Sequence, residues 1–452
     1  MKKEQLKKST SGVRGVIGNG LDPQLAVRYA MAFGTLMKKG PVVLGRDSRP
    51  TGDMIQASVV AGLNAVGIDV IDVGVVPTPT VEIAVKELKA TGGICITASH
   101  NPAEWNALKF FNSRGEFITP AQYNKLDALF ESQKFSLKPH DKIGGLSANK
   151  KMIALHIKKT LQLKALNKRA IKKAGFKVVI DAVNGAGSYA LPELVAKLGV
   201  EVIRLNCEGN GKFPHEPEPI PKNLGQIAWA VKRHKADMGL VCDPDADRLA
   251  LVDHEGVPVG EELTLAIAVQ EVLRTEPGPT VINLSTSNVT ADAARSMGSK
   301  VFLSKVGEAN VVELMRKKKA VIGGEGNGGV IYPTFHAGRD SLVAAALVLS
   351  AVARAKVSLR ELVDSLGHYY SVKAKAAMPD DFDRRLEKLE KAAESIMGKT
   401  SIDRQDGLRF DFEDGWLQVR SSNTEPIYRL IVETSSQRRT DDLYKTVIKY
   451  FR

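Results

Sequence analysis

Short β-branched runs recur along most of the chain, and helical stretches separate many of them. The runs are Val42-Val43-Leu44, Asp69-Val70-Ile71, Gly93 to Ile96, Val178-Val179-Ile180, Val202-Ile203, Met238 to Val241, Val281-Ile282 and Val301-Phe302. Leu25 to Lys38 and Ala190 to Leu198 are typical of the helical stretches. Alternation of this kind predicts α/β units with parallel or mixed sheets. The C-terminal part differs. Leu408 to Glu413, Trp416 to Arg420 and Tyr428 to Glu433 read as consecutive strands, and Asp441 to Tyr450 as a closing helix, which predicts an α+β end domain. Candidate linkers are Pro139 to Asn149, the turn at Asp253 to Gly256, and Leu366 to Tyr370. They divide the 452 residues into segments 1–146, 147–253, 254–367 and 368–452, a reasonable size for small domains.

Hydrophobic residues make up 43% and charged residues 25%, enough apolar material to offset chain entropy. The longest apolar run, Ser341 to Ala353, is well short of the roughly 20 residues a bilayer crossing needs, so no membrane partner is expected. Cys95, Cys207 and Cys242 are too few and too scattered for a disulfide framework or a zinc site. The basic start MKKEQLKKST has no apolar core after it, so a reducing, cytoplasmic location is expected. The net charge of +13 is concentrated, since residues 131–177 hold 13 Lys/Arg and 2 Asp/Glu. That stretch has almost no aromatic residues for base stacking. Its lysines alternate with Ile153, Leu155, Ile157, Leu161 and Leu163, the pattern of a solvated helix face, and nucleic acid is not an expected partner.

Four polar clusters do not read as core. Thr97-Ala98-Ser99-His100-Asn101-Pro102 follows a buried-strand pattern, where reacting side chains are often displayed. Its serine is either a nucleophile or phosphate carrier, or part of a polar turn closed by Asn-Pro. Asp243-Pro244-Asp245-Ala246-Asp247-Arg248 also follows a strand. Three carboxylates at this spacing repel unless a cation sits among them, and a hard divalent ion such as Mg2+ beside a phosphate suits oxygen ligands. The spacing lacks the glycine and glutamate of an EF-hand, and the alternative is a solvated acidic turn. Gly323 to Gly329, with Glu325 and Asn327 inside it, reads either as a sugar-hydroxyl loop with close backbone approach or as a flexible connection. Arg420-Ser421-Ser422-Asn423-Thr424-Glu425-Pro426, with Arg429 nearby, offers a guanidinium fork and consecutive small polar residues that suit a phosphate; otherwise it is a hairpin turn. Together the clusters describe phosphoryl transfer on a sugar.

In this combination and order, the chain resembles the α-D-phosphohexomutase family of phosphoglucomutases, phosphomannomutases and phosphoglucosamine mutases, over essentially its whole length. TASHNP, DPDADR and RSSNTEP carry the resemblance, supported by Thr10 to Gly15, Asp181 to Gly187 and Pro217 to Pro219. It implies three similar α/β domains and a C-terminal α+β domain around a central cleft. It implies that Ser99 carries the phosphoryl group and that Asp243, Asp245 and Asp247 hold Mg2+ with it. Arg248 would lie beside the metal loop, and Glu325 and Asn327 would read sugar hydroxyls. Arg420, Ser422, Asn423 and Thr424 would grip the non-reacting phosphate, with Arg429 close by. Arg14, His100 and Lys109 would line the reacting end, with Lys109 as the proton-transfer candidate. Many members have serine where Asn327 stands and an aromatic residue or histidine where Gly329 stands; His336 is the candidate to compensate. The G-E-G-N-G-G form resembles the phosphoglucosamine mutase-like branch seen in archaea and some bacteria, tilting the expected substrate towards glucosamine phosphate.

The resemblance thus implies a two-step transfer through a sugar bisphosphate, with glucose or mannose phosphate as alternative substrates and a monomer or homodimer as the assembly. Closure of the last domain over the cleft would exclude water. Two competing functions are an Asp243-based metal-dependent phosphatase and a sugar-phosphate-binding regulator.

Overall fold

Residues 6–422 and 427–451 are described by the computed structural model. β-Branched and aromatic side chains pack well on a pleated surface, and the β-branched runs are the parallel strands of three sheets, with the C-terminal runs in a fourth. The first sheet has seven strands: β1 (Lys7–Ser9), β2 (Gly12–Val16), β3 (Val42–Arg46), β4 (Val70–Val75), β5 (Gly92–Ile96), β6 (Trp105–Asn112) and β7 (Leu146–Ala148), in the order β1-β2-β6-β5-β3-β4-β7. β5, β3, β4 and β7 are parallel, whereas β6 runs antiparallel to β5. The segment boundary expected at residue 146 falls inside β7, which pairs with β4.

The second and third sheets are built alike. In the second, β8 (Lys177–Asp181), β9 (Glu201–Leu205) and β10 (Met238–Cys242) are parallel, and β11 (Leu249–Asp253) closes the edge antiparallel to β10. In the third, β12 (Thr280–Asn283), β13 (Val301–Ser304) and β14 (Ile322–Glu325) are parallel, and β15 (Gly329–Ile331) runs antiparallel to β14. The fourth sheet, β16 (Tyr370–Ala377), β17 (Ser401–Asp403), β18 (Leu408–Phe412), β19 (Gly415–Ser421) and β20 (Ile427–Thr434), is wholly antiparallel.

Every residue of β5 and of β10 is buried, as expected for strands covered on both faces. Three of the polar clusters lie at connections between antiparallel neighbours, β5 to β6, β10 to β11 and β14 to β15, and Arg420 to Ser422 lead out of β19. Side chains at such connections lie outside the ladder and can be aimed at other units.

The apolar run at Ser341 is a buried helix, Ser341–Ala355, whose N-cap Asp340 accepts from the Leu342 and Val343 amides. It belongs to one core cluster running from Ile157 to Leu366, which joins the helices of the second and third sheets. The basic stretch forms the helices Met152–Thr160 and Lys168–Ala174, which bury Ile157 and Ile171 and leave most of their lysines exposed. Among the described residues, no helix is long and apolar enough to cross a membrane.

Candidate active site

Ser99 ends β5 in a left-handed backbone conformation, φ +50°, which costs a residue with a Cβ about 1 kcal/mol. The surroundings hold it there. Its amide donates to Thr97 Oγ1 at 3.0 Å, and the buried Arg49 donates to its carbonyl at 2.7 Å. Arg49 also binds the carbonyls of Asn101, Pro102 and Trp105, so one guanidinium, itself oriented by Asp47, gathers the whole serine loop. The Ser99 side chain is thereby aimed at the second unit. Its Oγ donates to Asp243 Oδ2 at 2.8 Å, across 144 residues of sequence.

Asp243, Asp245 and Asp247 are buried, and one oxygen from each lies within 4.8 Å of the others. Asp243 Oδ1 accepts the amides of Asp247 and Arg248, which curls the turn, and Ala246 takes φ +53° at its apex. Asp245 Oδ2 accepts from Thr78 Oγ1 and from Lys109 Nζ, both at 2.6 Å. Asp247 Oδ2 accepts from Arg339 at 2.7 Å and lies 3.4 Å from Lys109 Nζ. Among the described residues, Asp245 Oδ1 and Asp247 Oδ1 are buried with no hydrogen-bond partner. Unsatisfied buried carboxylate oxygens are costly, and clustered ones with oxygen-only chemistry fit a hard divalent cation. Burial, with the charges of Asp247 and Asp245, pushes Asp243 well above the usual carboxylate range. Burial would raise Asp245 as well, but Lys109 and Thr78 hold it well below that range.

Lys109 lies on β6 beside Ser99's strand, paired with Cys95 in register. Burial alone would lower its pKa; Asp245 and Asp247 outweigh that and raise it. These two carboxylates favour the ammonium form and hold Lys109 against the acidic turn. His100 Nδ1 lies 3.3 Å from Ser99 Oγ. Burial and the cations Arg248 and Arg14 push its pKa well below the ordinary value, which keeps the imidazole neutral. Arg14 donates to Asn101 Oδ1 at 3.3 Å at the edge of the serine loop. Arg248 Nε lies 3.7 Å from Asp247 Oδ1.

The third unit reaches this cluster through Arg339, which lies outside the four polar clusters of the sequence. Its three nitrogens bind three carboxylates: Asp247 at 2.7 Å, Glu308 at 2.9 Å and Glu325 at 2.9 Å. Glu325 also accepts from Asn283 at 2.8 Å and from the Gly307 amide at 2.9 Å. Burial opposes ionisation there, but Arg339 and these donors lower the Glu325 pKa overall. Asn327 Nδ2 lies 3.5 Å from Glu325, and its Oδ1 accepts the Gly329 amide. A Cβ at Gly329 would sit 2.2 Å from Arg339 Cδ, so the space that a histidine or aromatic side chain would occupy is filled by the guanidinium stem. His336 does not compensate for that histidine. It is buried between Glu82 and Asp340, with Nδ1 and Nε2 engaged at 3.1 and 2.9 Å.

In the fourth unit, Arg420 and Arg429 are register partners at the end of β19 and β20 that leads into residues 422–426. Arg420 lies 3.9 Å from Asp406, and among the described residues its Nε has no hydrogen-bond partner. It is close enough to Glu325 to feel that charge. The Ser422 amide donates to the Ile427 carbonyl; Asn423 and Thr424 lie outside the described residues. The unit is docked on the third by Ser285 to Gln418 at 2.6 Å and by the Asn288 amide to Glu433 at 2.7 Å.

The structure thus unites Ser99, His100, Lys109 and the three aspartates directly, and brings in Glu325 and Asn327 through Arg339. Arg420 and Arg429 stand apart from them in hydrogen-bonding terms. The missed Arg49 follows the apolar run Val42 to Leu44 within Arg46-Asp47-Ser48-Arg49-Pro50. The rule that found Ser99, a polar cluster directly after a strand, points to it too. Arg339 had only the Arg-Asp-Ser entry to the helix at Ser341 as a signal.

A serine hydroxyl against a buried tri-aspartate turn, beside cationic side chains, defines a phosphoryl-transfer type of site. Four family models match the chain in order: phosphoglucomutase/phosphomannomutase alpha/beta/alpha domain I at residues 5–137, domain II at 154–256, domain III at 260–370, and the C-terminal domain at 372–449. The chain belongs to the phosphoglucomutase/phosphomannomutase family. It is 37% identical over 447 residues to a phosphoglucomutase/phosphomannomutase of Thermococcus kodakarensis, covering 97% of each chain. It is 34% identical over 438 residues to a protein of Methanopyrus kandleri named "Probable phosphoglucosamine mutase", covering 96% of this chain and 95% of that one. Its fold matches the crystal structure of a phosphoglucomutase/phosphomannomutase family protein from Burkholderia thailandensis, with TM-score 0.85, 28% identity, and coverage of 97% and 96%.

Proposed function

We propose that the protein is a phosphohexomutase that interconverts hexose or hexosamine 1- and 6-phosphates through phospho-Ser99 and a bisphosphorylated sugar. The observation that carries this is the 2.8 Å hydrogen bond from Ser99 Oγ to Asp243 inside the tri-aspartate turn. A hydroxyl so placed can hold a phosphoryl group against the cluster. In the forward step the bond from phosphorus to Ser99 Oγ breaks and a bond from phosphorus to the sugar oxygen forms. The sugar hydroxyl proton passes to His100, whose Nδ1 neighbours Ser99 Oγ. The departing Ser99 oxygen keeps its electron pair and takes that proton from His100, which leaves Ser99 as a hydroxyl and His100 neutral, while Lys109 carries positive charge against Asp245 and Asp247. The bisphosphate turns over, and the second phosphate returns to Ser99 by the reverse events.

Asp243, Asp245 and Asp247, with the Ser99 phosphate, are the proposed Mg2+ ligands; when bound, the ion would neutralise charge on the transferring phosphoryl oxygens. Arg248 and Arg14 add positive charge at the same end. Glu325 and Asn327 are the proposed sugar-hydroxyl contacts. Arg420, Ser422, Asn423, Thr424 and Arg429 form the proposed clamp on the distal phosphate. A clamp that reads phosphate serves both orientations of the bisphosphate.

Glucosamine phosphate is the proposed first substrate, supported by the Glu325 to Gly329 loop form, with glucose and mannose phosphates as alternatives. The phosphatase alternative would need Asp243 as nucleophile, yet both its oxygens already serve as acceptors for Ser99 and two backbone amides.

A panel of glucosamine, glucose, mannose and N-acetylglucosamine 1-phosphates, assayed for 6-phosphates with Mg2+, tests the proposal. Ser99→Ala is expected to lose interconversion by at least about 10³-fold. Undiminished interconversion in that variant would overturn the serine carrier, and hydrolysis without isomerisation would favour Asp243 as acceptor.

A further inference from the structure

A second buried polar chain lies behind the acidic turn, and none of its members belongs to a recognised motif. Glu82, on the helix Thr78–Glu87 of the first unit, approaches His336 Nδ1 at 3.1 Å. His336 Nε2 lies 2.9 Å from Asp340 Oδ2, and the same oxygen lies 2.8 Å from His156 Nε2. His156 Nδ1 then meets Thr80 Oγ1 at 2.8 Å, back on the helix that carries Glu82. Glu82, His336, Asp340, His156 and Thr80 are each no more than 2% exposed. The chain therefore closes a ring through the first unit, the helix Met152–Thr160 and the third unit.

Both His336 nitrogens face carboxylate oxygens, an arrangement that favours the doubly protonated imidazole. Burial alone would lower its pKa, but Asp340 and Glu82 push it up to about 9. His156 spans Asp340 and Thr80, with Nε2 against Asp340 Oδ2 and Nδ1 against Thr80 Oγ1. Asp340 is saturated: Oδ2 takes both imidazoles, and Oδ1 takes the Leu342 and Val343 amides.

The ring brackets a three-residue stretch. His336 and Asp340 enclose Ala337, Gly338 and Arg339, and Arg339 is the side chain that grips Asp247, Glu308 and Glu325. A Cβ at Gly338 would lie 1.7 Å from Glu82 Oε2, so the Glu82 carboxylate presses on the backbone directly before Arg339. Directly after Asp340, the Ser341 amide and hydroxyl donate to the Ala246 carbonyl at the apex of the acidic turn, at 3.2 and 2.7 Å.

We propose that His336 is a positioning residue: held between Glu82 and Asp340, it fixes Arg339, and through it Asp247 and Glu325, against the unit that carries Ser99. Buried ionic groups that add little net stability can still select one geometry, and here that geometry spans the three loops that must converge on the sugar phosphate. The kinetic part rests on the phosphohexomutase function proposed above; the metal-binding part does not.

The test compares His336→Phe, which fills the space without donors, with His336→Gln, which keeps an N–H. Each is made in the wild-type and Arg339→Lys backgrounds of the full chain. His336→Phe is expected to lower kcat about thirtyfold with KM for the sugar phosphate changed less than about twofold, and His336→Gln to restore part of the loss. Mn2+ affinity, read by electron paramagnetic resonance without substrate, is expected to fall about fivefold or more in His336→Phe. In the Arg339→Lys background the same substitution should change kcat less than about threefold, because the residue it positions is already altered. If His336→Phe fails to fold, His336→Gln carries the comparison, with a smaller loss of the same pattern. A folded variant with wild-type kcat and Mn2+ affinity would overturn the proposal, and so would losses that add fully to those of Arg339→Lys. Wild-type Mn2+ binding that responds to His336 while no hexose phosphate is turned over would uphold the positioning role and sink the proposed reaction.

Discussion

The turns after β10 and β14 are built on the same scaffold, a parallel strand followed by an antiparallel edge strand, and both carry buried carboxylates. They differ in what is left over. Among the described residues, Asp245 and Asp247 each keep one buried oxygen without a hydrogen-bond partner. Glu325 has both oxygens engaged, by Asn283, Gly307 and Arg339. An acidic side chain whose lone pairs are spoken for is a fixed, oriented acceptor. One with oxygens to spare is a ligand awaiting a cation. Identical local topology therefore yields two different tools, and the neighbours decide which.

The largest expected effect separates the two turns by metal affinity. Asp245→Asn should weaken Mn2+ binding, measured by electron paramagnetic resonance, by about 10²-fold, since it removes an anionic ligand. Glu325→Gln should leave that affinity within about threefold and raise KM for the sugar phosphate instead. Equal losses of Mn2+ affinity in the two variants would erase the distinction. Next in size is Arg339→Lys. An ammonium cannot reproduce a three-armed fork, so kcat is expected to fall about tenfold while the protein still melts cooperatively. A variant with wild-type kcat would show that the two turns do not depend on their shared cation.

The smallest effect concerns pH. His336 has a folded pKa of about 9 against an ordinary 6.5, so the folded chain binds this proton more tightly than the unfolded chain. The stability it contributes is complete below about pH 6.5 and lost as pH rises through about 9. The groups facing it are Glu82 and Asp340, with His156 sharing the Asp340 oxygen. Between pH 6.5 and 9.5 the wild-type melting temperature should fall about 2 °C further than that of His336→Gln. Parallel melting profiles would assign the pH dependence to other groups.

The inner strands were legible because β-branched runs mark a pleated, buried surface. The serine and acidic turns were legible because polar residues abruptly follow such runs. β6 was not read as a strand: Trp105 to Asn112 carries Asn106, Lys109 and Asn112 among its apolar residues. Those polar groups are buried and satisfied by distant residues, Asn106 by Thr51 within the first unit and Lys109 by Asp245 of the second. A pattern based on local polarity cannot anticipate a partner 136 residues away. Arg339 escaped for the same reason, since its three carboxylates lie in three different parts of the chain. The displaced histidine at position 329 was visible only as an oddity of the glycine-rich loop. Its cause, the Arg339 stem, is a fact of packing.

Arg49 grips the Ser99 peptide from the carbonyl side while the Oγ faces the opposite neighbour, Asp243. Backbone anchorage and side-chain chemistry are thus supported by separate groups. A serine mounted in this way could alternate between two covalent forms, bare and esterified, and take up nearly two negative charges each time, while its main chain keeps one shape. Turnover would then demand no refolding of the loop that carries it.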